Sequence, residues 1–236
     1  MQRQSASGTV AILQPVMDFR SRLLATLRRV APLFEEPGVM VVGSEVPNLL
    51  QPRAASTLVV SQDVDIGVPV ARHAAVKARL AQIEGLRPSA EEPSVWLPDS
   101  HELLEVNFLG IDTATRGPDD TYVFEDPELP LMVFGLLSLL RPGGRVDAAE
   151  LAVLVPRPAG LLLEKLATER TGEKGDRDLL VAMGLLLVAT DADLAEAREQ
   201  YQSLPADLRH TVRANLATLS LLGPRPDMPD PRPHRH

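Results

Sequence analysis

The sequence predicts an α/β fold, a small mixed sheet with helices followed by a mostly helical domain. Three observations predict it. Residues 39–42 form a short, wholly apolar run that stops at Gly43-Ser44, the pattern of a strand buried on both faces. Polar and apolar residues alternate in Asp63-Val64-Asp65-Ile66 and again in Glu105-Val106-Asn107-Phe108, which is the period of a half-buried strand. Beyond residue 129 the apolar segments lengthen, up to the run 179–189, and such lengths suit helices.

The elements follow in order. Residues 1–15 show no period and are read as a lead. Asp18 stands where it can cap a helix running to about residue 35, with Phe19, Leu23, Leu27, Val30 and Phe34 at helical spacing. Pro37-Gly38 breaks it, and the strand 39–42 follows. A short helix over 45–51 ends at Pro52. Residues 57–68 read as a second strand. Pro69 opens a helix to about residue 84, since a first-turn proline forgoes no hydrogen bond. Residues 94–97 and 103–109 read as a hairpin closed by Pro98-Asp99-Ser100. In its second strand Val106 and Phe108 face one way, Glu105 and Asn107 the other.

These elements make residues 16–110 one α/β domain. Residues 111–128 are acidic and turn-rich and are read as a linker. Residues 129–222 form the helical domain. It holds a helix at 129–140, a break at Pro142-Gly143-Gly144, one strand at 151–155, and helices at 157–170, 177–189, 194–201 and 206–222. The end, 223–236, is rich in Pro, Arg and His and reads as a disordered tail.

Composition narrows the functional classes. The chain is 44% hydrophobic and 24% charged, as expected of a globular protein. A net charge of -8 gives no global attraction to nucleic acid. The absence of cysteine excludes disulfides, thiolate catalysis and Cys-ligated zinc. No apolar run approaches the roughly 20 residues of a membrane span, so a cytoplasmic protein without membrane contact is expected. No Walker loop and no nucleophile elbow occur. His73 and His101 lack a neighbour at metal-ligand spacing.

Two pieces carry chemistry. Glycine at a strand end lets a ligand approach the backbone closely, and the N–H groups that follow favour an anion. Gly43 and Ser44 are therefore candidate phosphate contacts. Asp63 and Asp65 lie two apart on a strand and share a face. Two such charges repel unless a cation neutralises them, and magnesium prefers a few carboxylates supplemented by substrate phosphates.

In that order, Val42-Gly43-Ser44 and Asp63-Val64-Asp65-Ile66 resemble the signature of the nucleotidyltransferase superfamily. Ser61-Gln62-Asp63-Val64-Asp65 is further similar to the form found in bacterial AbiEii-type and related members. The spacer, residues 45–62, is longer than is usual there. The resemblance implies a third carboxylate on the strand 104–109, as metal ligand and general base. Asn107 stands where aspartate is expected and Glu105 lies two residues earlier on the same face, so Glu105 is the candidate. A second segment, Val155-Pro156-Arg157-Pro158 followed by Leu163-Glu164-Lys165-Leu166, Arg170, Lys174, Asp176 and Asp178, also resembles these proteins, with Glu164 where histidine is usual. It implies that Lys165 contacts a triphosphate.

The resemblance thus implies an enzyme that uses Mg2+ or Mn2+ to move a nucleoside monophosphate from a nucleoside triphosphate such as ATP to a hydroxyl. The acceptor would be an RNA end, a protein or a small molecule, in a setting that includes toxin–antitoxin and defence roles. The alternative is a catalytically weak module of the same fold that binds a nucleotide or a partner protein, and Asn107 is the residue that favours it.

Overall fold

A computed structural model describes residues 18–50, 61, 63–114, 120–148, 150–168 and 173–221. The expected lead and tail, and residues 57–60 and 62 of the expected second strand, lie outside the described residues.

Helix α1 (Phe19–Arg29) opens with the Asp18 carboxylate accepting the Ser21 N–H at 2.8 Å, and buries Leu23, Thr26 and Leu27. It is shorter than its apolar period suggests. Residues 31–35 form a 3-10 turn because Pro32 has no N–H and its ring opposes a continuing α-helix. Strand β1 (Met40–Val42) is buried at every position. A 3-10 turn from Gly43 leads to α2 (Val46–Leu50). Strand β2 (Asp63–Pro69) buries Val64, Ile66 and Val68, while Asp63 and Asp65 share its other face. Pro69 ends this strand instead of starting a helix. A 3-10 turn, Val70–Arg72, comes first, and α3 is only His73–Leu80.

Strands β3 (Leu86–Pro88), β4 (Val95–Pro98) and β5 (Glu105–Ile111) complete the central order β1-β2-β5-β4-β3. β2 and β5 run parallel, with Asp63 opposite Glu105 and Asp65 opposite Asn107. The hairpin expected of β4 and β5 is present, with Val95 opposite Asn107. The structure adds three strands to those expected of this sheet, β3 and two more. β6 (Tyr122–Phe124), within the expected linker, pairs with β7 (Leu131–Val133), and β7 runs parallel to β5. The helix expected over 129–140 is therefore absent: β7 is followed by a 3-10 turn, Gly135–Leu139. A short apolar run suits either state, and its pairing partner decides. The result is a seven-stranded mixed sheet.

The second half is mostly helical, as expected. Strand β8 (Pro142–Ala148), read from sequence as a break, pairs antiparallel with β9 (Leu151–Pro156). Helices α4 (Pro158–Ala167), α5 (Glu173–Val188), α6 (Asp191–Ser203) and α7 (Ala206–Leu221) follow. Every residue of α4 from Ala159 to Ala167 is buried, as befits a helix that is apolar on most sides. α5, α6 and α7 pack around it, and the 3-10 turn at 135–139 presses on it so closely that a side chain at Gly160 would overlap the Leu139 carbonyl. Buried apolar residues from Leu23 to Leu219 form one continuous cluster. α4 therefore carries its single buried lysine, Lys165, to the edge of the sheet.

Candidate functional site

Four chain segments converge at the β1–β2–β5 end of the sheet. The β1 end supplies Gly43, β2 supplies Asp65, β5 supplies Leu109, and α4 supplies Glu164 and Lys165. They line a cavity of about 490 Å³, closed on its other side by Phe134 to Leu137 and by Asp207, Leu208 and Thr211 of α7. Of the residues expected from sequence, Gly43, Asp65 and Lys165 are brought together in this wall. Ser44, Asp63 and Glu105 stand behind or beside it.

Gly43 has a φ of +80°, and a Cβ there would overlap the Asp65 carboxylate. Glycine is thus required twice, for the left-handed backbone and for the approach of Asp65. The adjacent Ser44 hydroxyl donates to Glu45 Oε1 at 3.3 Å.

The two aspartates are tied to Asn107. Its Nδ2 donates to Asp63 Oδ2 at 2.9 Å and to Asp65 Oδ1 at 3.3 Å. The Ser61 hydroxyl donates to the other Asp63 oxygen. Burial pushes Asp65 up to about 6; the Asp63 charge raises it further, while the Asn107 hydrogen bond and the Lys165 charge oppose the rise. Glu105, next to Asp63 in register, is also held above the usual carboxylate range by burial, then by Asp63 and Glu92. The side chain bonded to both aspartates is therefore Asn107, and Glu105 flanks them.

Sequence reasoning missed Glu45. It is almost fully buried, accepts hydrogen bonds from Ser44 and from Asn48 Nδ2 at 3.2 Å, and is pushed up to about 7 by burial, with Asp63 and Asp65 adding to the rise. The available signal was a lone acidic residue directly after the Gly-Ser pair, followed by the apolar Val46.

Lys165 is buried as well. Its Nζ lies 3.1 Å from Glu164 Oε2 and 3.2 Å from Asp178 Oδ1, and both acids are buried. Asp176 and Asp178 lie inside α5, which begins at Glu173, so they are not its caps. Arg170 and the Lys174 side chain lie outside the described residues. The His73 Nε2–H donates to the Leu129 carbonyl at 2.8 Å and the ring leans on Phe124, a hydrogen-bonding role that needs no metal.

A divalent cation fits this chain in one way. Among the described residues no group of three or more His, Asp or Glu side chains is disposed to hold a metal. Asp63 and Asp65 offer two carboxylates, the buried Asn107 Oδ1 has no hydrogen-bond partner, and magnesium completes such partial sets with water and substrate oxygens.

No protein-family model matches this chain, and none of the curated proteins matches it in sequence. Solved structures are similar in their arrangement of elements. The antibiotic-resistance factor ANT(2'')-Ia aligns over 84% of this chain and 95% of its own, with a TM-score of 0.44 and 9% identity. An antigenic nucleotidyltransferase-like protein from Paracoccidioides brasiliensis aligns over 82% of this chain and 93% of its own, with a TM-score of 0.40 and 12% identity.

Proposed function

We propose that this chain is a nucleotidyltransferase that binds a nucleoside triphosphate with Mg2+ or Mn2+ in the cavity of about 490 Å³ and passes the nucleoside monophosphate to an acceptor hydroxyl, with pyrophosphate as the leaving group. One observation carries the reading. Gly43, Asp65 and Lys165, far apart in sequence, line the same cavity. That combination offers close backbone approach, an anionic ligand for a cation, and a positive charge for phosphate oxygens. Its size suits a nucleotide.

Each residue has a distinct part. Gly43 admits phosphate oxygens to the backbone. Asp63 and Asp65 hold the cation, which when bound offsets charge on the phosphates. Lys165, already paired with two carboxylates, contributes a weakened positive charge at the wall. Glu105, beside Asp63, accepts the proton of the acceptor hydroxyl. Ser44 supports the site through Glu45 rather than by direct contact. The acceptor and the toxin or defence setting stay open, since a fold does not choose them.

A second reading rests on Asn107. An asparagine bonded to both aspartates cannot act as a base and carries no charge, which favours a nucleotide-binding module of low turnover. Thermal stabilisation by a nucleoside triphosphate that requires Mg2+, lost in the folded Asp63→Ala/Asp65→Ala double variant, is expected under either reading. Unchanged binding in that variant would sink both. Transfer of label from an α-labelled nucleotide to any acceptor separates enzyme from module.

A further inference from the structure

We infer that Asn107 is itself a ligand of the cation, supplying a neutral third oxygen by turning its amide. This inference rests on the cation site proposed at Asp63 and Asp65. In the structure the amide nitrogen faces the carboxylates, 2.9 Å from Asp63 Oδ2 and 3.3 Å from Asp65 Oδ1. The other end of the amide, Oδ1, is buried and has no hydrogen-bond partner. A buried acceptor without a partner is unfavourable, so this orientation satisfies one end of the side chain at the expense of the other.

A half-turn about χ2 exchanges the two ends with almost no change of shape. It would bring the oxygen to the position the nitrogen holds now. Neighbouring ligands of an octahedral magnesium ion, each about 2.0–2.1 Å from it, are roughly 2.9 Å from one another. The measured spacings from Nδ2 to the two carboxylate oxygens are close to that edge length. Register explains why this residue and not Glu105 holds the place: Asn107 is opposite Asp65, whereas Glu105 is opposite Asp63 and one pleat further out. Asparagine therefore serves two states. It donates to the carboxylates when they lack a cation and accepts on the cation's side when they have one. Aspartate in its place would add a third negative charge beside a pair that already repels.

Mn2+ titration followed by electron paramagnetic resonance tests this on the whole chain without any need for activity. Asn107→Leu removes the oxygen and the donor together. Weaker Mn2+ binding by tenfold or more is expected if the oxygen is a ligand. Binding equal to or tighter than that of the parent would overturn the inference, because it would make the amide only a competitor of the ion. Asn107→Asp keeps the shape and covers the case in which the leucine variant does not fold. It is expected to bind Mn2+ at least tenfold more tightly, and equal or weaker binding would also overturn the inference. Failure of the cation site itself has a separate signature: the parent and an Asp63→Asn/Asp65→Asn variant would then bind Mn2+ alike.

Discussion

Two acidic clusters border the cavity, and they are balanced differently. On α4 and α5, Glu164 and Asp178 share the Lys165 ammonium. On β2 and β5, Asp63 and Asp65 share only the neutral Asn107 amide, with Glu45 buried close by. The first cluster contains its own cation and holds two helices together. In the second, burial first and the neighbouring acidic charges next push Asp65 and Glu45 upward. Carboxylates paired with lysine have their charges met by the fold. Carboxylates bridged by a neutral amide leave charge that a cation from outside can meet, which makes the second cluster the candidate for the proposed chemistry.

The largest expected effect tests the first cluster. Lys165→Met leaves two buried acids without their cation and is expected to cost about 3–5 kcal/mol in urea unfolding. A loss below about 1 kcal/mol would mean that the three groups are not a unit and would remove the contrast.

The second cluster is expected to respond to pH, by about 3 kcal/mol for either acid alone. Glu45 and Asp65 rise to about 7 and about 6 from ordinary values of 4.5 and 3.8. Between those values the folded state binds more protons than the unfolded one. The stability these two acids contribute is therefore fully present below about pH 4 and is lost as pH climbs through 6 and 7. Melting temperature measured without divalent cations should show this slope. Glu45→Gln and Asp65→Asn should each flatten it, and a profile that rises from pH 5 to pH 8 would contradict the assignment.

Gly43→Ala comes next, at about 2 kcal/mol, because it combines a left-handed backbone with overlap on Asp65. Nucleotide-dependent stabilisation should weaken with it. An alanine variant as stable as the parent, with the same nucleotide response, would show that the close approach of Gly43 to Asp65 is dispensable.

The smallest effect is expected at Glu105. Since it flanks the pair instead of bonding to it, Glu105→Gln should change Mn2+ affinity by less than about threefold, while transfer activity falls. A larger loss of affinity would return the third-ligand role to Glu105.

Much of this arrangement was legible in the linear pattern. Alternation placed Asp63 and Asp65 on one face of β2, and Glu105 and Asn107 on one face of β5. The apolar periods located α1 and the four helices of the second half. The misread parts have a common cause, which is dependence on a distant partner. Residues 131–133 are a strand because β5 and β6 pair with them. The Gly-rich stretch at 142–148 is a strand because β9 lies alongside. Lys165 was expected at a triphosphate, and its pairing with Asp178 exists because α5 lies alongside α4.

The sequence by itself determined the alternating strands, the strand end at Gly43 and the carboxylate pair, since each depends on residues within a few positions of one another. Only the tertiary structure decided which side chain meets that pair, which charge is buried beneath it and which cation is already spent. Those outcomes depend on the parallel register of β2 and β5 and on the packing of α4 against α5. Electrostatics in a buried site follows distance in space, and local periodicity carries no record of that distance.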